Sequence, residues 1–336
     1  MMTNKLSKER RLLFGIIGLL LVLLPLIVSE YTITTLIRII YFGFLATSVG
    51  MLVGQGGMTS LTQTAFFGIS GYVIGLLGQE RGVPFFWTLL ASLFVVILFA
   101  FIVSLIIMRT QRIVFLMITL AIGQIFWTFA RQNTNLLHGW AGIRGIKAPI
   151  ILGIDFSNEM YYYWLSLVIF VIMIRVLWKI VHSPFGLALN GIRESPRRMS
   201  ALGYPVYWLR VAAFLIAAVY AAIGGILATY YNGNITPTTI QLSRTIWVLL
   251  LVVLGGASYF WGPLLGTFIG VWLEVLISQA TPRYNTIIGI VFVVTVLLAP
   301  RGILGLIDQH SGKEKVKFWI SQLKAKLKIR SQKEVE

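Results

Sequence analysis

Few residues in this sequence could act on a solute, and most of those that could are uncharged. Serine, threonine and glutamine side chains supply hydrogen-bond donors and acceptors without the cost of burying a charge. They gather in and beside two apolar runs, as Ser60, Gln63, Thr64, Thr119 and Gln124. Such residues either join helices by hydrogen bonds or line a path for a small polar or zwitterionic solute. The residues alone leave both interpretations open.

One acid, Glu274, stands inside an apolar run. Ionisable residues within a membrane are costly and often functional, which would make Glu274 a proton or solute site. The alternative is a carboxylate that pairs with a basic or polar neighbour near the external end of its helix. A proton-coupled pump normally needs a relay of such groups, so a single acid argues against that class of transporter.

The sequence carries no catalytic cluster and no metal-ligand spacing. It lacks the Gly-x-x-x-x-Gly-Lys-Ser/Thr loop that cradles ATP phosphates, and it lacks the H-E-x-x-H and G-x-S-x-G motifs. It has no cysteines, and His138, His182 and His310 are far apart. We therefore expect no enzyme activity, no catalytic residue, no metal and no cofactor bound by this chain. Any ATP would be bound by partner subunits.

Composition assigns the chain to the integral membrane proteins. Of its 336 residues 57% are hydrophobic and only 12% are charged, and the mean hydropathy is +0.86. A net charge of +17 could suggest a nucleic-acid partner. The basic residues, however, stand at the ends of apolar runs and not on an aromatic-interleaved surface, so we expect no nucleic acid. Membrane lipid is the expected surrounding.

Apolar runs predict an all-α protein with about ten transmembrane helices, since a span needs roughly 20 apolar residues. The run at 12–28 follows a basic N-terminus, 1–11, and is predicted to be an uncleaved first span. The runs at 64–78 and 245–257 are short, so either could be re-entrant or fully spanning. The runs are 12–28, 32–53, 64–78, 85–108, 113–130, 160–181, 209–230, 245–257, 263–280 and 286–299.

The distribution of basic residues predicts which loops face the cytoplasm. Most of the 28 lysines and arginines fall before the first span, near residue 110, between 179 and 210, and after residue 300. The positive-inside rule therefore places both termini in the cytoplasm. It places Arg244 and the Gly-rich loop 131–159 outside. The predicted permease domain is 12–306.

Residues 307–336 form a basic tail whose Val316, Trp319, Ile320 and Leu323 share one face of a predicted helix. An amphipathic helix of this kind lies on an anionic cytoplasmic leaflet. The alternative is a solvated tail.

Two glycine clusters have a similar pattern. Gly54-Gln55-Gly56-Gly57 precedes Ala65-Phe66-Phe67-Gly68, and Gly255-Gly256 precedes Pro263-Leu264-Leu265-Gly266. The pattern indicates either an internal repeat, as in many transporters, or two unrelated helix-packing clusters.

A short polar segment, 183–203, interrupts the apolar chain on the predicted cytoplasmic side. Breakers bound it and divide it, and charged residues crowd its middle. Its notable residues are Gly186, Arg193, Glu194, Pro196, Arg197, Arg198 and Gly203.

Several motifs in sequence order resemble the permeases of branched-chain amino-acid ABC importers, of the LivM-like type. The likeness covers nearly the whole membrane domain. The motifs are Gly54-x-x-Gly57-x-x-Ser60-Leu61-x-x-x-Ala65-Phe66-Phe67-Gly68-x-x-Gly71-Tyr72, Thr119-Leu120-Ala121-x-x-Gln124, Gly139-x-x-Gly142-Ile143-x-Gly145-Ile146, Ser183-Pro184-Phe185-Gly186 through Ala201-Leu202-Gly203, Val253-Leu254-Gly255-Gly256 with Trp261-Gly262-Pro263, and Pro300-Arg301-Gly302.

The resemblance implies a permease subunit of an importer for branched-chain amino acids. It implies ABC ATPase subunits, a second homologous permease and an extracytoplasmic solute-binding protein as partners. Residues 183–203 would then be the ATPase coupling segment, with charged contacts from its arginines and glutamate and hinges at Gly186 and Gly203. Arg197-Arg198-Met199 stands where the family usually has Glu-Ala-Ala. The family also includes urea and short-amide permeases, and a stand-alone secondary transporter is the alternative of another class.

Overall fold

The computed structural model describes residues 25, 29–110, 112–151, 153–281, 283–298 and 302–306. The predicted N-terminus 1–11, the predicted first span 12–28 apart from Pro25, and the tail 307–336 lie outside these residues. In chain order the helices are α1 (Glu30–Gly54), α2 (Gln63–Ile74, continued by a π-helical turn Gly75–Glu80), α3 (Phe85–Ile107), α4 (Arg112–Gln132), α5 (Thr134–Leu137), α6 (Glu159–Val181), α7 (Pro184–Glu194), α8 (Pro196–Ala201), α9 (Val206–Asn232), α10 (Leu242–Gly255), α11 (Gly262–Ala280) and α12 (Tyr284–Leu298).

Every predicted apolar run from 32–53 onward coincides with a helix, because each run is apolar enough to favour one in a membrane. In the described part of the chain, six helices are long and apolar enough to cross a membrane: α1, α3, α4, α6, α9 and α11. The helices α10 and α12 are apolar but shorter. Helix α2 gains length from its π-helical turn, which carries it from Gln63 to Glu80.

Contacts between distant residues define one end of the helix bundle, called here the Glu159 end. The Thr34 hydroxyl at the start of α1 donates to Glu159 at the start of α6, at 3.1 Å. The Tyr231 hydroxyl near the end of α9 donates to the same carboxylate at 3.4 Å. Residues predicted to be external therefore begin and end helices at this end.

The opposite end, called here the Arg193 end, holds the segment predicted to be cytoplasmic. Arg193 of α7 donates to the carbonyl oxygen of Gly54, the last residue of α1. The Tyr207 hydroxyl at the start of α9 donates to Leu105 near the end of α3, at 3.0 Å. The helices thus alternate in direction as the charge pattern predicts, and which end faces the cytoplasm stays a prediction from that pattern.

Helix α9 lies at the centre and packs against α1, α2 and α3 through small residues. A Cβ atom at Gly225 would lie 2.0 Å from the carbonyl oxygen of Phe67. One at Gly224 would lie 2.7 Å from the carbonyl oxygen of Tyr41. Lipid offers no hydrophobic force between helices, so close backbone packing through small residues holds them together.

The loops at the Glu159 end contain short β-strands, which the all-α prediction did not include. β1 (Ile143–Arg144) pairs antiparallel with β4 (Asn234–Ile235), and β2 (Ile150–Ile151) pairs antiparallel with β3 (Ile154–Asp155). These pairings satisfy backbone groups that no helix satisfies. Their shortness explains why periodicity in the sequence did not reveal them.

The residues before α10 are irregular and partly buried against α2. A 3-10 turn, Pro237–Ile240, follows β4, and Ile235 and Ile240 are almost fully buried. They pack against a face of α2 that is lined by glycines. A Cβ atom added at each of these glycines would lie within 3 Å of an isoleucine side chain. The pairs are Gly68 with Ile240, Gly71 with Ile235 and Gly75 with Ile143.

The two glycine clusters of similar sequence lie against one another at the Arg193 end. A Cβ atom at Gly54 would lie 2.0 Å from the carbonyl oxygen of Ala257. One at Gly50 would lie 2.2 Å from the ring of Pro263. The end of α1 therefore packs against the turn between α10 and α11 and against the start of α11.

Gly225→Ala tests the central packing. We expect it to lower the unfolding temperature of the purified protein in detergent, because even one methyl group would collide with the backbone of α2. Gly289→Ala in α12 is the matched control, since a Cβ atom there meets nothing within 4 Å. It should leave the unfolding temperature unchanged or raise it, through helix propensity worth up to about 1 kcal/mol. Equal effects of the two variants would contradict the packing argument.

Candidate functional site

Ser60, Gln63 and Thr64, three of the residues predicted to line a pathway, lie in or directly after the irregular turn between α1 and α2. Residues 57–62 are not helical, yet Met58, Ser60, Leu61 and Thr62 are buried. The Ser60 and Thr62 hydroxyls lie 2.9 Å apart. Irregular backbone at membrane depth is tolerated where protein buries it or where it lines a cavity.

Thr119 of α4 joins this turn to the next helix. Its hydroxyl accepts from the Leu61 backbone N–H at 3.3 Å and donates to the Leu116 carbonyl at 2.9 Å. Thr119 is fully buried. Gln124, on the same helix, is only partly buried, and no hydrogen bond between described residues joins it to the other predicted pathway residues. The structure therefore gathers Ser60, Gln63, Thr64 and Thr119 around the turn and leaves Gln124 apart from them.

Gln63, the first residue of α2, is 1% exposed, and neither its Oε1 nor its Nε2 has a protein partner among the described residues. A buried amide without partners costs about 1–3 kcal/mol. The side chain therefore carries unused hydrogen-bonding capacity beside the irregular turn. That capacity suits a polar solute.

Thr64 makes the contact between α2 and α10. Its hydroxyl lies 2.6 Å from the hydroxyl of Thr245, and both residues are buried. Thr245 was absent from the residues singled out in the sequence, although it begins the short run 245–257. Only the approach of α10 to α2 shows that this threonine belongs with the polar set.

A second polar cluster surrounds Glu274. The Arg38 guanidinium donates to Glu274 Oε1 at 2.8 Å, and the Arg244 guanidinium lies 3.9 Å from the same oxygen. This pairing fits the alternative in which Glu274 has basic neighbours. Charge counting predicted Arg244 to be external, and its guanidinium lies near Glu274, which stands about 9 Å from the end of α11 at 1.5 Å per residue.

Aromatic rings hold the arginines of this cluster. The guanidinium of Arg244 lies over the rings of Phe42, at 5.3 Å, and Trp247, at 5.0 Å. The guanidinium of Arg38 lies over Phe42 at 5.8 Å. Cation–π contacts of this kind are worth about 0.5–2 kcal/mol each and fix the planes of the guanidiniums.

The coupling segment predicted at 183–203 is two short helices, α7 and α8. Helix α7 buries Gly186, Ala188, Leu189 and Ile192 on one face. No residue of α8 is buried. Ser195 separates the helices and accepts the Arg198 backbone N–H at 3.4 Å, with Pro196 opening α8. The segment is thus anchored by α7 and presents α8 outward.

The charged residues of this segment divide into two kinds. Glu194, Arg197 and Arg198 are exposed at the end of the bundle. Arg193 is exposed as well, but it also packs on Gly57, where a Cβ atom would lie 2.8 Å from its side chain, and its guanidinium donates to Gly54. Arg193 therefore tethers α7 to the glycine turn that follows α1.

The glycines at the two ends of the segment have different structural roles. A Cβ atom at Gly186 would lie 1.9 Å from the Val181 carbonyl oxygen, so the turn between α6 and α7 requires glycine. Gly203 has a φ of +85° and ends α8. Tyr204 N–H bonds to Met199 O and Gly203 N–H to Ser200 O, which is the Schellman pattern.

The Glu159 end contains a cavity of about 540 Å³. Its charged lining residues are Lys147, Asp155 and Glu159. The Ser157 backbone N–H donates to Asp155 at 2.9 Å and lowers the pKa of that carboxyl. The aromatic and polar lining includes Phe156, Tyr162, Tyr230, Tyr231 and Asn232. In the described part of the chain, no group of three or more His, Asp or Glu side chains could hold a metal ion.

Comparison with known families matches residues 31–299 to the family described as branched-chain amino acid transport system / permease component. The high-affinity branched-chain amino acid transport system permease protein LivM of Escherichia coli (strain K12) is 23% identical over 210 residues, 56% of this chain and 49% of the relative. A probable branched-chain amino acid transport permease protein LivM of Methanocaldococcus jannaschii is 28% identical over 178 residues, 52% of this chain and 50% of the relative.

A third relative has a different solute in its name. The nucleoside ABC transporter permease protein NupC of Lactococcus lactis subsp. cremoris is 30% identical over 119 residues, 35% of this chain and 37% of the relative. The chain spans half or less of the length of these relatives. No solved structure matches it significantly.

Thr64→Val and Thr245→Val test the contact that joins α2 to α10. We expect each single variant to destabilise the protein, and we expect the double variant to cost less than the sum of the two. The coupling free energy should be about 0.5–1.5 kcal/mol, the range of hydrogen bonds between membrane helices. Unfolding of all four proteins in detergent measures it. Strict additivity would show that the hydroxyls do not interact.

Proposed function

The chain belongs to the family of branched-chain amino acid transport permeases, and we propose that it forms the solute pathway of an ATP-driven importer of branched-chain amino acids. The match over residues 31–299 is the observation that carries this proposal, because it spans all the helices from α1 to α12. The membrane location follows from the same match and from the six long apolar helices of the described chain. The solute is proposed from the family description and the two LivM relatives.

The proposed partners are ABC ATPase subunits, a second homologous permease and an extracytoplasmic solute-binding protein. The sequence has no ATP-binding loop, so this chain needs an energy source from another subunit. The Arg193 end is assigned to the cytoplasm on the positive-inside rule. The Glu159 end, with its open cavity, then faces the solute-binding protein.

The solute pathway is proposed to run past the turn between α1 and α2. Ser60, Gln63, Thr64 and Thr119 gather there, and Gln63 keeps both amide atoms unpaired. A protein that needed only stability would favour an apolar residue at such a position, because the unpaired amide costs free energy. A passing solute would supply the missing partners. Gln124 is assigned to the same pathway as its least buried member.

Coupling to ATP hydrolysis is proposed to pass through residues 183–203. Glu194, Arg197 and Arg198 offer exposed charges to an ATPase surface, flanked by the exposed side chains of Leu187 and Leu202. Movement of α7 would reach the glycine turn through Arg193. Since that turn leads directly to Ser60 and Gln63, closure of the ATPases would displace the proposed pathway. Gly186, Pro196 and Gly203 set the shape of the moving segment.

Urea, short amides and nucleosides are the alternative solutes within this family-based proposal. The named function of the nucleoside relative and the neutral polar residues at the turn support these alternatives. A stand-alone secondary transporter is the alternative of another class. The pairing of Glu274 with arginines, in place of a relay of acids, speaks against a proton-driven transporter. Transport by this chain alone in liposomes without ATP would establish the secondary transporter.

Gln63→Leu separates a pathway role from a structural role. We expect this variant to keep or raise the unfolding temperature, because it removes two unpaired buried polar atoms, while import by the assembled complex falls severalfold. Ser92→Ala is the matched control, since the Ser92 hydroxyl is buried and donates to Ser70 O at 3.0 Å. It should lower stability and leave import intact. Unchanged import by Gln63→Leu would remove Gln63 from the pathway.

The coupling proposal is tested by two kinds of arginine variant. The double variant Arg197→Gln/Arg198→Gln should weaken the affinity for the ATPase subunits, and the defect should depend on salt concentration. Each kcal/mol of lost contact energy corresponds to about a fivefold lower affinity. Arg193→Gln should leave association intact but reduce solute-stimulated ATP hydrolysis, because it cuts the tether to Gly54. Arg109→Gln, at an exposed residue of the same end, is the control. Identical defects in both variants would show that docking and transmission are not separate.

A further inference from the structure

The charge cluster of Arg38, Arg244 and Glu274 lies too deep to face lipid. Arg38 is about 12 Å from the start of α1 and Glu274 about 9 Å from the end of α11, at 1.5 Å per residue. Nevertheless the side chains of Arg38 and Arg244 are 29% and 32% exposed. Exposed guanidiniums at such depth are very costly in hydrocarbon, so this face must meet water or another polypeptide.

The cluster has hydrogen-bonding capacity that the protein does not use. Glu274 is 8% exposed, and its Oε2 has no partner among the described residues. Trp247 Nε1, beside the Arg244 guanidinium, is likewise buried without one. Arg244 lies 3.9 Å from Glu274, farther than a hydrogen bond, so its N–H groups are not committed to that carboxylate. The contacts within the cluster hold its side chains in place, but several of its polar atoms lack a hydrogen-bond partner among the described residues.

The neighbours of the cluster indicate that its exposed face meets water or solute and not a second subunit. Arg244 is followed by Thr245, which bonds to Thr64 next to the unpaired Gln63. The first turn of α10 thus carries Arg244, at the charge cluster, beside Thr245, at the contact with the polar turn between α1 and α2. Ionisable residues inside a membrane almost always face the bundle interior or a water-filled cavity and mark solute pathways.

We propose that Arg244 and Glu274 form a binding station for a zwitterionic α-amino acid on its way to Gln63. Arg244 pairs with the α-carboxylate, because a guanidinium can donate two parallel hydrogen bonds to it. Glu274 Oε2 accepts from the α-ammonium group. The rings of Phe42 and Trp247 hold Arg244 in place and offer an apolar wall to the side chain of the solute. Arg38 is the positioning residue that orients Glu274 through its 2.8 Å hydrogen bond.

This inference rests on the proposed transport function, and it goes further by assigning the charges of the solute to named residues. A solute without a carboxylate loses the Arg244 contact, and one without an ammonium group loses the Glu274 contact. Urea and nucleosides lack both charges. The station therefore selects between the solute classes that the family relationship leaves open.

Direct binding to the assembled complex without its solute-binding protein tests the station. Saturation-transfer NMR should detect L-leucine on the wild-type complex, and Arg244→Gln should weaken its apparent affinity about tenfold, which corresponds to 1.4 kcal/mol. Arg81→Gln, at an exposed arginine outside the cluster, should bind L-leucine as the wild type does. Leucinamide, 4-methylpentanoate and uridine should each bind more weakly than L-leucine to the wild type.

Equal binding of L-leucine by wild type and Arg244→Gln, or no detectable binding to the wild type, would overturn the station. Import by the same wild-type complex, supplied with its binding protein, separates the two proposals. Leucine import without binding at this site would keep the proposed function and reject the station. Binding of L-leucine without import of any branched-chain amino acid would keep the station and reject the proposed solute.

Chemical rescue provides a second readout that does not depend on affinity. The chain has no cysteines, so Arg244→Cys introduces its only thiol. We expect import by this variant to fall, and we expect aminoethyl methanethiosulfonate, which restores a positive charge, to recover part of it. The negatively charged sulfonatoethyl reagent should not. Wild type and Arg81→Cys, treated identically, should show no recovery. A thiol that water-borne reagents cannot reach would overturn the proposal, because the face would then be sealed.

Discussion

Helix α9 lies so close to α1 and α2 that a methyl group at Gly225 would collide with a backbone carbonyl oxygen of α2. Between apolar helices in lipid, this close packing takes the place that the hydrophobic effect has in soluble proteins. It fixes α1 and α2 as neighbours, and with them the irregular turn that joins them. The polar residues of that turn, and the tether from Arg193, have defined positions only because α9 holds both helices.

A mechanical connection runs along α1 from one end of the bundle to the other. At one end its last residue accepts from Arg193 of the coupling segment, and at the other Thr34 donates to Glu159 beside the cavity. Between these ends Arg38 reaches Glu274, and Phe42 lies beneath Arg244. Helix α1 thus contacts each candidate functional region of the described chain. This arrangement gives α1 the central role in the proposed coupling.

The polar groups of this protein fall into two classes with different consequences. The hydroxyls of Ser92, Thr64 and Thr245 are paired, so they stabilise contacts between helices. The amide of Gln63 and one oxygen of Glu274 are buried without partners in the described protein, so they cost stability. Buried polar groups that a protein keeps unpaired despite the cost in stability are candidates for hydrogen bonds to a solute. This physical distinction singles out Gln63 and Glu274 among the polar residues, which polarity alone did not.

The sequence by itself determined the membrane class, the helices from 32–53 onward, the stop at Gly203 and the family motifs, whereas Gly186, predicted to break a helix, lies within α7. Hydrophobic runs, glycines with a required backbone conformation and local motifs are properties of short stretches of chain. The tertiary structure alone showed that Arg193 bonds to Gly54, that Thr245 belongs with Thr64, and that Arg244 reaches Glu274. It also placed the short strands of the loop. The three side-chain contacts join residues 139, 181 and 30 positions apart. Such pairings depend on how helices pack, which no local pattern of residues encodes.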